Sequence, residues 1–185
     1  IDKAAEPGNH NLSGATVEAG AIELLLDKVK PGWQNSEQAK EIFSYRVTKD
    51  NVMFFAGSKL AFNIHPMMKL AKLFKINFGQ MNHGGDYILP VSKLTKFLTQ
   101  IAKEMGVEIF HGFAAEDIIY DSTQNIATGV KLVDQGIDKH GNKQPNYVAG
   151  EIINTDAVIL AEGCDGLVTE KFIKTVKDKC YTNAN

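Results

Sequence analysis

The most regular apolar pattern in the chain falls in residues 92–106, where Leu94, Phe97, Leu98, Ile101, Ala102 and Met105 recur at helical spacing. Ser92 stands at the N-cap position and Gly106 at the stop, so the spacing predicts a helix there that feeds a strand at 107–110. Residues 156–166, DAVILAEGCDG, read differently. Ala157, Val158, Ile159 and Leu160 are an unbroken apolar run closed by a glycine-containing turn. Such a run predicts a strand buried on both faces, the central strand of an open α/β sheet. Ligands bind outside the carboxyl ends of strands in such sheets, and Glu162, Gly163, Cys164, Asp165 and Gly166 lie at that end. Glycines of this kind also serve a plain tight turn, so the turn alone does not establish a site.

The remaining elements follow from shorter patterns. Residues 118–120 and 126–133 flank Asp121-Ser122-Thr123-Gln124-Asn125 and predict a β-hairpin; a second polar turn spans 136–146, with a strand at 150–153. Residues 167–179 predict a helix with Leu167, Phe172, Ile173 and Val176 apolar. Near the start, Ala21-Ile22-Glu23-Leu24-Leu25-Leu26 predicts a short helix ended by Pro31-Gly32, and 52–55 an aromatic strand. Residues 67–79, from Met67 to Gly79, read MMKLAKLFKINFG, with Lys69, Lys72 and Lys75 at every third position among apolar residues. On a helix this places lysine along one side, the pattern of an interfacial membrane helix and equally of a half-buried surface helix.

Composition narrows the classes. With 185 residues and 44% hydrophobic content the chain can bury a core and reads most simply as one unit. A formal net charge of −2 provides no general attraction for nucleic acid. Arg46 is the single arginine, so a planar two-pronged clamp on phosphate is nearly lacking. Cys164 and Cys180 are too few for a cysteine-ligated zinc site or a four-cysteine iron-sulfur cluster, and no metal ligands are assigned. No apolar run approaches the roughly 20 residues that cross a bilayer.

The element order is that of the FAD-binding half of two-domain flavoproteins, yet the G-x-G-x-x-G fingerprint is absent. Three stretches carry a closer likeness: IDKAAEPGNHNLSGA at the start, MNHGGDYILPVSKLTKFLTQIAKEMGVEIFHGFAAEDIIY in the middle, and GVKLVDQGIDKHG through DAVILAEGCDG. In order and spacing they resemble electron transfer flavoprotein-ubiquinone oxidoreductase, a mitochondrial inner-membrane family that carries FAD and a four-iron cluster and passes electrons from electron transfer flavoprotein to ubiquinone. The resemblance implies an α/β fold: an incomplete FAD-binding, glutathione-reductase-like open sheet with a β-meander, lacking the first βα unit, over 1–185, with a membrane-facing portion within 16–80.

Carried over by residue, the resemblance makes Asp2 the acidic residue that would bond the adenosine ribose. Ser13, Gly14, Ala15, Gly84 and Gly85 would line the flavin, and Glu162, Gly163, Asp165 and Gly166 would form the turn beside the dinucleotide. No residue takes a catalytic role. Pro90 stands where the family typically has arginine, and Asp165 where histidine is common. A carboxylate there opposes pyrophosphate. The implied partners are protein subunits covering an open sheet edge and a matrix-side inner-membrane surface met by residues 67–79 and by Ile22, Glu23, Leu24, Leu25 and Leu26. Ubiquinone would bind only with further segments. Two readings result: a truncated, non-catalytic copy serving as an accessory subunit without FAD of its own, or a fragment of an active FAD and iron-sulfur oxidoreductase.

Overall fold

A computed structural model describes the chain except residues 12–13, 58–59, 68–69, 71–73, 75–82, 122–125, 164–165 and 183–185; for 176–182 it describes the backbone alone. The described residues form a mixed α/β structure with several small antiparallel sheets and divide into two compact units. One unit is Pro7–Glu108; the other joins Ile1–Glu6 to Ile109–Asn185. Most of residues 67–79, including Lys69, Lys72 and Lys75, lies outside the described residues, as do Ser13 and Asp165.

In Pro7–Glu108, strands β1 (Ala15–Val17), β2 (Tyr45–Arg46) and β5 (Tyr87–Leu89) form an antiparallel sheet in the order β1-β5-β2. Strand alternation buries Tyr87 and Leu89 and turns Ile88 outward. Against the buried face lie helices α1 (Ala19–Val29), α2 (Glu37–Ile42) and α3 (Val91–Glu104), which contribute Ile22, Leu26, Ala39, Ile42, Leu94, Phe97 and Ile101 to one core. Phe43 organises its aromatic part. It meets Trp33, Tyr87 and Phe97 edge-on at centroid distances of 4.8, 4.9 and 6.3 Å, the arrangement that ring quadrupoles favour.

Helix α2 is capped as its sequence dictates, the Ser36 hydroxyl accepting the Ala39 amide at 3.1 Å. Helix α3 starts one residue before the predicted Ser92. Pro90 is its N-cap in extended geometry, because proline lacks the amide that a helix start leaves unpaired and disfavours helix behind it. Gly106, with φ +89, follows the helix end as expected. The apolar run of α1 divides: Ile22 and Leu26 enter the core, while Leu24 and Leu25 face outward. Strands β3 (Met53–Ala56) and β4 (Leu60–Asn63) pair only with each other among the described residues.

In the second unit, Asp2 makes a parallel bridge with His111, its amide donating to the Phe110 carbonyl at 2.8 Å. The predicted hairpin is present as β6 (Ala115–Asp121) and β7 (Ile126–Leu132), and β10 (Ile152–Asn154) pairs with the far edge of β7, giving the order β10-β7-β6. Between them, the expected polar turn is itself a hairpin of β8 (Gln135–Ile137) and β9 (Lys143–Val148). Asp138 shapes its bend by accepting the amides of His140 and Asn142 at 2.8 and 2.9 Å. Helix α4 (Leu167–Thr182) closes the unit, and Lys171 ties it to β6 by donating to the Glu116 carbonyl at 2.8 Å.

The predicted central strand is not formed. Residues 157–160 make no sheet ladder, and Ile159 is 90% exposed. Residues 107–110 likewise form no strand, and only His111 beyond them makes the bridge to Asp2. The physical reason is partnership: an apolar run supplies side chains for burial, but a strand also needs neighbours for its amides and carbonyls.

Leu26→Ala removes a fully buried side chain beneath the Trp33 cluster, and we expect it to destabilise this unit by about 2–5 kcal/mol. The measurement is denaturant unfolding followed by fluorescence of Trp33, the only tryptophan. An unchanged midpoint would show that this core does not carry the unit's stability.

Candidate functional site

The residues singled out in the sequence fall into two groups. Asp2, Glu162, Gly163 and Gly166 belong to the unit containing the meander, whereas Gly14, Ala15, Gly84 and Gly85 belong to Pro7–Glu108. Ser13 and Asp165 lie outside the described residues.

Asp2 is exposed, and one of its carboxylate oxygens accepts the amide of Ala4 at 2.9 Å. Its backbone is held from both sides. The Asp2 carbonyl accepts the Phe113 amide at 3.1 Å, complementing the bond to Phe110. Both ring nitrogens of neighbouring His111 are buried without a hydrogen-bond partner among the described residues.

The described residues on either side of 164–165 have a definite arrangement. Gly163 has φ +82, a backbone conformation that side chains disfavour. The Glu162 carboxylate then reaches the start of α4, accepting the Thr169 amide at 2.7 Å, the Thr169 hydroxyl at 2.8 Å and the Val168 amide at 3.4 Å. Gly166 makes this approach feasible, because a Cβ there would lie 2.7 Å from the Glu162 Cβ and 2.8 Å from its Oε2. Burial pushes the Glu162 pKa upward, but the bonds from Thr169 and Val168 and the charge of Lys3 outweigh it and hold the carboxyl below its ordinary value. The unpaired amides expected to face a pyrophosphate are thus met by the chain's own carboxylate.

The other two small-residue pairs are separated by the β1–β5 ribbon. Ala15 is opposite Leu89 and Val17 opposite Tyr87, so Gly14-Ala15 lies at one end and Gly84-Gly85 beyond the other. The intervening strand rise is about 7 Å. Gly85 is fastened where it lies: its amide donates to the Val47 carbonyl at 2.9 Å, and its carbonyl accepts Nη1 of Arg46 at 2.9 Å.

Arg46 also organises a cluster that the sequence did not disclose. Its Nη2 donates to Glu23 Oε1 at 2.5 Å and to the Tyr87 hydroxyl, its guanidinium lies 4.0 Å from the Tyr87 ring centroid, and the Tyr87 hydroxyl donates to Glu23 Oε1 at 2.7 Å. Burial, then the bond to Glu23, pushes the Tyr87 hydroxyl up to about 12. Bonds from Tyr87 and Arg46 hold Glu23 below its usual value. The cluster pins α1 to the sheet. Only the pairing of Arg46 with Tyr87 across β2 and β5 brings it together, and no local motif signals that pairing. Among the described residues no group of three or more His, Cys, Asp or Glu side chains is placed to hold a metal ion, and no helix is long and apolar enough to cross a membrane.

With the geometry in place, the chain is similar along essentially its whole length to one segment of a class of flavoprotein oxidoreductases. The relatives are named as electron transfer flavoprotein-ubiquinone oxidoreductases. The Arabidopsis thaliana mitochondrial protein is 29% identical over 184 residues, covering 100% of this chain and 26% of that protein. A probable mitochondrial enzyme of that name from Schizosaccharomyces pombe is 32% identical over 176 residues, 94% of this chain and 24% of its own length. The Pseudomonas aeruginosa protein is 30% identical over 175 residues, 94% and 29% respectively. The chain therefore spans about a quarter of the length of these relatives. No family model matches it.

Glu162→Ala should cost about 1 kcal/mol by exposing the first amides of α4. Because the folded carboxyl is held low, its contribution is present above the unfolded glutamate value and lost as pH falls through the lowered folded value. Acid titration by far-ultraviolet circular dichroism checks this. The variant should lose part of the native acid limb, and superimposable curves would refute the capping role.

Proposed function

We propose that this chain serves as a non-catalytic, structural portion of an assembly like electron transfer flavoprotein-ubiquinone oxidoreductase, and holds no FAD by itself. The observation that carries the reading is the Glu162 carboxylate on the first amides of α4. A phosphate approaching this helix start would compete with that carboxylate for the same amides. When bound in such relatives, FAD would supply one- and two-electron transfer.

The setting we infer is peripheral, at the matrix face of the mitochondrial inner membrane, because several relatives carry mitochondrial names and this chain exposes apolar surface. Leu24 and Leu25 on α1 and Met67, Leu70 and Phe74 within 67–79 are exposed. Subunits of the same assembly would cover the apolar run at 157–160, which lacks strand partners.

A second reading is favoured by one observation. Asp2 forms a parallel bridge with His111, the strand relation expected where the family's acidic residue meets a ribose. On that reading the chain is a segment of an active oxidoreductase that takes electrons from electron transfer flavoprotein and delivers them to ubiquinone.

The flavin absorbance of the purified chain, before and after incubation with FAD and gel filtration, separates the two. We expect no retained flavin. Stoichiometric flavin surviving filtration would overturn the structural reading in favour of the second.

A further inference from the structure

We draw no further inference here: the strongest candidate, the imidazole of His111 beside the bridge to Asp2, whose two buried ring nitrogens have no hydrogen-bond partner among the described residues, carries none, because nothing in the structure shows which group would meet them.

Discussion

A strand persists only where a neighbour takes its amides and carbonyls, and that constraint accounts for most of this molecule's architecture. In the meander unit, β7 is satisfied on both edges, by β6 and β10, and around it lie the longest of the described strands. Residues 157–160 have the right side chains and no ladder, and they remain irregular with Ile159 in solvent. In Pro7–Glu108 the central strand β5 has neighbours on both sides, and the helical core collects on the face that Tyr87 and Leu89 present. Side-chain pattern selects what a segment is able to become; backbone pairing determines whether it does.

This explains which parts were legible. Helix α3 was readable because its signals are local: apolar positions at helical spacing, and Gly106 at the stop. The earlier start came from Pro90, which takes the N-cap two positions before Ser92 because it has no amide to leave unpaired. The β6–β7 hairpin was readable for the same reason, its turn residues lying between two β-rich runs. By contrast, the Arg46, Glu23 and Tyr87 cluster joins residues up to 64 apart through sheet register, and nothing in the spacing of a lone arginine discloses it.

The candidate site was legible as a glycine turn before a helix, while the carboxylate on that helix start was not. Gly163 does take the left-handed backbone that a glycine turn before a helix implies, but Glu162 turns back upon the amides expected to face a ligand. Asp2 sits beside His111 as a parallel strand end should, while one oxygen of its carboxylate serves Ala4. Both carboxylates thus accept hydrogen bonds from amides of their own chain. Small residues provide a further lesson: Gly14 and Gly85 have similar backbone freedom, yet the ribboned strands between them set them at opposite ends.

The turn at Glu162 also has a thermodynamic consequence. A ligand that binds only the folded state stabilises it in proportion to the logarithm of its concentration over its dissociation constant, so a protein built around such a ligand gains or loses stability with supply. A carboxylate four residues from Gly166 acts instead at the fixed effective concentration of its tether. The bonds from Glu162 to the first amides of helix α4 therefore respond to pH rather than to the concentration of any solute, and an external anion at those amides would first have to displace a competitor that never diffuses away.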